Sequence, residues 1–256
     1  MSIEFASATD IRIKSKCGNQ YYTVFTDSPC KTIAERDIQI PGNGKCQVDI
    51  YLPSYAYISK MYIGIEKSAK INIIGDKKKP FVFYGSSITQ GCCASSPLKS
   101  YSRIVANHFG YPLLNFGFSE SAKGEKNLIN YIASFEASLF IIEYDHNADY
   151  ELLSATHYGV YEIIRKVNTY TPIIVLSRFS GGLSITAAEE EMRISVIKQT
   201  VVKARENGDR NVYFISGKNV IVNKSEYFVD DRHPNDKGMK AIADLIIGFI
   251  EENKII

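Results

Sequence analysis

The chain has 256 residues, of which 45% are hydrophobic and 23% charged, and its formal net charge is +2. This composition is typical of a globular protein of one or two domains and excludes a disordered chain. Lysine and arginine are spread along the sequence, so we expect neither a nucleic-acid partner nor a polybasic membrane anchor. No stretch approaches the ~18 apolar residues of a membrane span. The first ten residues do not resemble a secretion signal, so we expect a cytoplasmic protein.

The first 75 residues contain short segments in which apolar and polar residues alternate. Such segments occur at Ile11–Lys14, Gln47–Leu52 and Met61–Ile65. A period of two with frequent turn residues predicts antiparallel β-structure. We therefore expect a small antiparallel β-sandwich domain over residues 1–78, followed by a second domain over residues 79–256.

Beyond residue 80 the pattern changes to strands that alternate with longer helical segments. Continuous apolar runs predict buried strands at Phe81–Tyr84, around Leu113, and at Leu139–Ile142, Ile173–Leu176 and Val212–Ile215. Runs that are apolar on both faces are typical of a parallel sheet covered on both sides. We therefore predict an α/β fold, a three-layer α/β/α flavodoxin-like domain with about five parallel strands.

Two helices of this domain carry clear boundary signals. Thr186 and Glu189 have the spacing of a capping box, and the apolar residues that follow repeat with helical spacing. Pro234 has a position that the first turn of a final helix tolerates, and Asp236 is a candidate for the N-terminal cap.

The cysteines are five in number: Cys17, Cys30, Cys46, Cys92 and Cys93. The odd count and the lack of metal-ligand spacing favour free thiols and predict neither a disulfide framework nor a zinc site. The adjacent pair Cys92–Cys93 lies close in sequence to Ser86 and Ser87, and its expected role is packing.

A candidate nucleophile follows the first apolar run. The strand that begins at Phe81 ends in Gly85-Ser-Ser, which would deliver a serine to the carboxyl edge of the sheet, where such sheets bind ligands. We interpret Ser87 as the nucleophile. The alternative is a serine-rich connection without a chemical role.

A serine hydroxyl needs a base within hydrogen-bond reach, and the base needs an orienting group. Of the four histidines, His233 is the best placed, because Asp230 precedes it by three residues in a loop before the last helix. His146 is a second candidate, whereas His108 and His157 lie in predicted helices. The alternative for Asp230 and its neighbours is that they cap the last helix beside a solvated histidine.

These residues resemble the four conserved blocks of the SGNH hydrolases, also called GDSL-like esterases or lipases. The blocks supply a serine, a glycine, an asparagine and a histidine in that order. The matching segments are Gly85-Ser-Ser-Ile-Thr, Asn115-Phe-Gly-Phe-Ser, Tyr144-Asp-His-Asn and Asp230-Asp-Arg-His. They cover the chain from Pro80 to its end, and all four occur in the family's order.

The resemblance implies a serine esterase that needs no cofactor or metal. Ser87, His233 and Asp230 would form the catalytic triad. The tetrahedral oxyanion of an acyl transfer needs preorganised donors. The backbone N–H groups of Ser87 and Gly117 and the side-chain amide of Asn147 would supply them.

The sequence departs from the family pattern at two positions. Ser86 replaces the aspartate of the Gly-Asp-Ser that gives the family its name, and Ala148 follows Asn147 where the third block usually continues with aspartate. Both variants are similar to a branch of carbohydrate-directed acetylesterases with an N-terminal β domain. We therefore expect removal of short acyl groups, acetyl above all, from a carbohydrate or another small ester.

The sequence leaves three alternatives open. The first is a lipase-like or lysophospholipase-like esterase. The second is a catalytically silent carbohydrate-binding protein that presents tyrosines of its N-terminal region: Tyr21, Tyr22, Tyr51, Tyr55, Tyr57 and Tyr62. The third is a nucleotide-binding protein, although no glycine-rich phosphate-binding motif follows any predicted strand.

Overall fold

The computed structural model of the protein describes residues 9–15, 18–24, 45–56, 58, 60–75, 77–179, 185–218, 220 and 224–256. The N-terminal part contains an antiparallel sheet with strand order β2-β1-β3. Its strands are β1 (Thr9–Ser15), β2 (Gly18–Val24) and β3 (Gln47–Tyr51). Arg12 and Asp49 are register partners on β1 and β3, and their side chains form a 2.7 Å ion pair across the sheet. The expected antiparallel β-structure is confirmed.

One predicted strand of this region is wrong. Met61–Ile65 has no regular secondary structure, and its large apolar side chains are at least half exposed. Alternation predicts a strand only where a neighbour can pair with it, and no described segment pairs with this one. The domain boundary near residue 78 stays a prediction. Cys17 and Cys30 lie outside the described residues.

The second part is built on a five-stranded parallel sheet with strand order β5-β4-β6-β7-β8. The strands are β4 (Phe81–Gly85), β5 (Leu113–Gly117), β6 (Leu139–Glu143), β7 (Ile173–Leu176) and β8 (Val212–Ile215). Every residue of β4, β6 and β7 is buried, as expected for strands covered on both faces. The prediction of an α/β/α domain is confirmed.

The helices cover the two faces of this sheet. They are α1 (Ser87–Gln90), α2 (Tyr101–Phe109), α3 (Lys126–Ala133), α4 (Tyr150–Val167), α5 (Ala187–Glu206), α6 (Lys224–Tyr227) and α7 (Asp236–Glu252). Alternate residues of β4 enter opposite cores: Phe81 and Phe83 pack with α2 and α7, whereas Val82 and Tyr84 pack with α3, α4 and α5.

The N-terminal cap at Thr186 is confirmed, since its hydroxyl accepts a 3.2 Å hydrogen bond from the Glu189 N–H, whereas the Glu189 carboxylate accepts from Arg193. The cap predicted for the last helix is wrong. Asn235 caps α7 by accepting from the N–H groups of Lys237 and Gly238. The Asp236 carboxylate instead accepts bonds from the N–H and hydroxyl of Ser95, at 2.8 Å and 2.6 Å. Either residue type suits a cap, so tertiary contacts made the choice.

The order of strands leaves a crevice at the carboxyl end of β4. The chain passes from β4 to β5 on one side and then to β6 on the other, so the direction of winding reverses at β4. Open α/β sheets bind their ligands at such a reversal. Among the helices that the structure describes, none is long and apolar enough to cross a membrane.

Candidate active site

The turn after β4 carries the predicted nucleophile. Gly85 ends the strand, and a Cβ there would lie 2.1 Å from the Glu143 carbonyl oxygen, so only glycine fits. Ser86 caps the short helix α1, and its hydroxyl accepts from the Ile88 N–H. Ser87 is therefore the first residue of that helix, held at the crevice by a turn packed against β6.

Ser87, His233 and Asp230 are brought together, although 146 residues separate the serine from the histidine. The Ser87 Oγ atom lies 3.0 Å from His233 Nε2. On the other side of the ring, His233 Nδ1 lies 2.8 Å from Asp230 Oδ2. The second oxygen, Asp230 Oδ1, accepts 2.7 Å bonds from the N–H groups of Arg232 and His233. The loop thus fixes the carboxylate and the imidazole relative to each other.

The charge of Asp230 determines how the imidazole is oriented. Partial burial acts to raise the pKa of this carboxyl, but hydrogen bonds from the His233 ring and from two backbone N–H groups outweigh it and lower the pKa. An ionised Asp230 accepts the proton-bearing Nδ1–H, which leaves Nε2 as an acceptor for the Ser87 hydroxyl. Such an arrangement can remove the proton of a serine as it attacks an acyl carbon.

Two of the three expected oxyanion donors are available. The Ser87 N–H, in the first turn of α1, has no partner among the residues described. The Asn147 side-chain amide lies in a 3₁₀ turn after β6 and donates one hydrogen to the Phe118 carbonyl at 2.9 Å. Its second N–H is free of any described acceptor. Asn147 is thereby held against the loop that follows β5.

The third expected donor, Gly117, is already occupied. Its N–H donates a 2.8 Å hydrogen bond to the side-chain oxygen of Asn115. Its glycine identity has a packing reason, because a Cβ there would lie 2.1 Å from the Gln90 backbone nitrogen. The expectation that Gly117 offers a free N–H is thus corrected. Three residues later, the Glu120 N–H has no described partner, and Glu120 has a φ of +59°.

Glu143, at the end of β6, is a site residue that the sequence analysis missed. It is fully buried, and its Oε2 atom accepts hydrogen bonds from the hydroxyls of Ser86 at 2.8 Å and Thr89 at 3.1 Å. Burial raises the pKa of this carboxyl to about 8, against the opposing effect of the Ser86 hydroxyl. The only signal in the sequence is a glutamate that ends an otherwise apolar run.

The N-terminal region also contacts the nucleophile turn. The Tyr55 hydroxyl donates to the Ser87 carbonyl at 3.2 Å. Gln90 donates to the Ser54 carbonyl at 3.1 Å and accepts from the Ser119 N–H at 3.0 Å. The segment after β3 therefore supports the site from one side.

The other three histidines make different contacts. His108 is exposed and lies 2.8 Å from Glu251. His157 is buried, stacks on Tyr144 and lies 2.7 Å from the Thr200 hydroxyl. His146 is partly buried in the turn before Asn147, and its Nε2 atom accepts from the Phe179 N–H at 3.2 Å. Burial lowers the pKa of His146 well below its ordinary value, so this ring is neutral.

A family comparison identifies the superfamily of this domain. The model of the GDSL-like lipase/acylhydrolase family matches residues 78–251. The chain belongs to the GDSL-like lipase/acylhydrolase family. The predicted resemblance is confirmed, and with it the general class of ester hydrolases. No protein of curated function matches the sequence.

Solved structures share the fold of this GDSL-like protein across both parts of the chain. A chain described as a GDSL-like lipase from Bacteroides ovatus is 23% identical, with a TM-score of 0.78 over 96% of this chain and 74% of that one. The salicylyl-acyltransferase of a tetracycline biosynthetic pathway is 18% identical, with a TM-score of 0.80 over 98% and 74%. A family two carbohydrate esterase from Clostridium thermocellum is 12% identical, with a TM-score of 0.61 over 98% and 87%.

The described tyrosines of the N-terminal region differ in their surroundings in this GDSL-like protein. Tyr51 is buried, Tyr55 contacts the nucleophile turn, and Tyr21 and Tyr62 are exposed. Tyr57 and the side chain of Tyr22 lie outside the described part of the chain. The described tyrosines therefore differ in their surroundings, and Tyr55 is the one that touches the site.

Proposed function

We propose that this protein is a serine esterase that removes short acyl groups, acetyl above all, from a carbohydrate or a related small ester through an acyl-enzyme. The observation that carries the proposal is the continuous contact from Ser87 Oγ to His233 Nε2 and from His233 Nδ1 to Asp230 Oδ2, at 3.0 Å and 2.8 Å. Membership of the GDSL-like family supports ester hydrolysis in general.

The proposed reaction uses one proton relay twice. His233 removes the Ser87 proton while the oxygen attacks the ester carbonyl, and then gives that proton to the departing alcohol. In the second half, water attacks the acyl-serine, and His233 returns the proton to Ser87. Asp230 stays ionised throughout and stabilises the imidazolium that forms in each half.

The oxyanion would be held by donors that are unpaired before substrate binds. These are the Ser87 N–H and the second N–H of the Asn147 amide. We propose the Glu120 N–H as a third donor in place of Gly117, because it belongs to the loop that Asn147 contacts and has no described partner. Preorganised donors of this kind stabilise the transition state without reorganisation.

The surroundings favour a polar alcohol over a long acyl chain. A cleft of about 310 Å³ adjoins Asn147, and most of its lining is polar or charged, including the accessible side chains of Asp149, Glu189 and Arg232. A fatty chain needs apolar lining, whereas sugar hydroxyls can bond with these side chains. Several structural neighbours are described as carbohydrate esterases, which agrees with this substrate class.

The test compares p-nitrophenyl acetate with p-nitrophenyl octanoate, followed by acetylated oligosaccharides from which released acetate is measured. The Ser87→Ala variant should lose turnover, whereas Ser134→Ala, the same change at an exposed helix end, should retain it. A Ser87→Ala protein that keeps most of its activity would overturn the proposed nucleophile. A preference for octanoate would replace the acetylesterase assignment with the lipase-like alternative.

Two further outcomes would identify the protein as an acyltransferase or as a carbohydrate-binding protein. If adding an alcohol acceptor diverts most of the acetyl group from water, the protein is an acyltransferase and hydrolysis is its side reaction. If no ester is cleaved while acetylated or plain oligosaccharides still bind, the carbohydrate-binding alternative replaces the esterase proposal.

A further inference from the structure

Two cysteines lie beside the proposed general base. One ligand atom from each of Cys92, Cys93 and His233 can be chosen so that all three lie within 4.8 Å of one another. The two sulfur atoms are 3.5 Å apart. Cys92 is buried, and Cys93 and His233 are partly buried.

The fold holds this cluster together through contacts on both sides. The Cys92 N–H donates to the Ser87 carbonyl at 2.9 Å, which anchors the pair directly after the nucleophile turn. The bonds between Ser95 and Asp236 tie the same loop to the start of α7, three residues after His233. Both loops are thus fixed against each other by contacts within the protein.

We propose that Cys92 Sγ, Cys93 Sγ and one ring nitrogen of His233 form a binding site for a thiophilic divalent cation such as Zn²⁺ or Cd²⁺, and that occupancy inhibits the enzyme. Thiolate and imidazole are the ligands that such cations prefer. With Zn–S bonds of ~2.3 Å, two sulfur ligands of a tetrahedral ion lie ~3.8 Å apart. The observed 3.5 Å needs only a small adjustment.

The cation should inhibit the enzyme whether it binds Nδ1 or Nε2 of His233. If Nε2 is the ligand, it can no longer accept the proton of Ser87, and if Nδ1 is the ligand, it loses Asp230. Binding also releases the thiol protons to solvent, because thiolates are the species that bind the metal. The inhibition rests on the proposed function of His233, whereas the binding itself does not.

The spacing of the cysteines did not predict this site. A pattern search looks for ligands a few residues apart, whereas the third ligand here comes from a loop 140 residues further along the chain. Adjacent cysteines become a candidate site only when a third soft ligand lies beside them. The parallel sheet places both loops at the same carboxyl edge.

The experiment uses the full-length protein with Cys17, Cys30 and Cys46 changed to serine, so that the adjacent pair supplies the only thiols. Titration with Cd²⁺ should give a thiolate-to-cadmium charge-transfer absorption that saturates at one equivalent. Zn²⁺ should inhibit ester hydrolysis with the same stoichiometry, a chelator should reverse the inhibition, and Mg²⁺ should have no effect.

The comparison protein carries Cys92→Ser and Cys93→Ser in addition. It should retain its activity, show no charge-transfer band, and need at least tenfold more Zn²⁺ for half inhibition. Equal sensitivity of the two proteins to Zn²⁺ would overturn the proposal, as would the absence of a saturating band. Because the band does not depend on turnover, a protein inactive on every ester would refute the proposed function while leaving the metal site supported.

Discussion

The Ser86 hydroxyl donates a 2.8 Å hydrogen bond to the Glu143 carboxyl, and the Ser86 N–H donates to the Glu143 carbonyl at 3.0 Å. The turn that presents Ser87 is therefore fastened to the neighbouring strand β6 by both backbone and side chain. In the first block of the family, aspartate usually stands at the position of Ser86. Here the carboxyl group beneath the nucleophile comes from another strand.

Two replacements of Glu143 distinguish the contribution of its hydrogen bonds to stability from that of its charge. Burial raises its pKa to about 8, so the group is protonated at neutral pH. Glu143→Gln keeps an acceptor of similar shape, and we expect stability at pH 7 within about 1 kcal/mol of the wild type. Glu143→Leu leaves the Ser86 and Thr89 hydroxyls without this acceptor and should destabilise the protein by about 2–3 kcal/mol. Urea unfolding measures the stability of both variants. Equal losses of stability would contradict the role of Glu143 as a hydrogen-bond acceptor for Ser86 and Thr89.

The raised pKa of Glu143 also predicts a pH dependence of stability. The carboxyl titrates near 4.5 in the unfolded chain and near 8 in the folded one. Between these values the folded state binds one proton more, so stability should fall as pH rises through this range, by about 1.4 kcal/mol per pH unit. Glu143→Gln should lack this contribution. Parallel stability curves for the two proteins from pH 5 to 8 would show that Glu143 is ionised in the folded state.

Asn147→Ala tests the proposed oxyanion donor. Loss of one such donor typically lowers kcat by about 10²–10³-fold with little change in KM. Asn130→Ala is a matched control, because Asn130 also donates to a backbone carbonyl but lies exposed on α3. If Asn147→Ala changed KM and left kcat intact, Asn147 would contact the substrate in its ground state and not the oxyanion.

Glu120→Gly tests the backbone at the third proposed donor. Glu120 has a φ of +59°, a conformation that glycine adopts without steric conflict. We expect the glycine variant to gain about 0.5–1 kcal/mol of stability. Its activity should be retained, because the N–H group is unchanged. Calorimetry measures the stability and ester hydrolysis the activity. A variant that is stable but inactive would mean that the site needs the Glu120 side chain and not only its backbone N–H.

Arg193→Met tests the support of the turn that carries Asn147. The Arg193 guanidinium donates to the carbonyls of Asp145 and Ala148 at 3.1 Å and 2.6 Å. Removing the donors leaves these buried groups unpaired, and we expect a loss of about 2–3 kcal/mol. Catalysis should fall through kcat, since Asn147 is held less firmly. Lys198→Met, an exposed change on the same helix, should alter neither quantity in unfolding and kinetic measurements.

Local sequence patterns were sufficient to predict the strands of the parallel sheet and to recognise the four family motifs in their order. A continuous apolar run of four or five residues predicts a strand that is buried on both faces, and this prediction needs only the residues of that strand. The N-terminal cap at Thr186 is similarly local, because the N–H group that bonds to its hydroxyl is three residues away. The cap predicted at Asp236 was wrong, because the neighbouring Asn235 caps the helix and the Asp236 carboxylate binds Ser95, which lies far away in the sequence.

The contacts that give the site its chemistry join residues that are far apart in the sequence. The sequence alone indicated Ser87, His233 and Asp230 as a set, because each follows a recognisable signal. It could not show that Glu143 lies under Ser86, that Asn115 occupies the Gly117 N–H, or that His233 adjoins two cysteines. These contacts depend on which strands are neighbours and on the paths of their loops, and both are set by packing of the whole sheet and not by any local period.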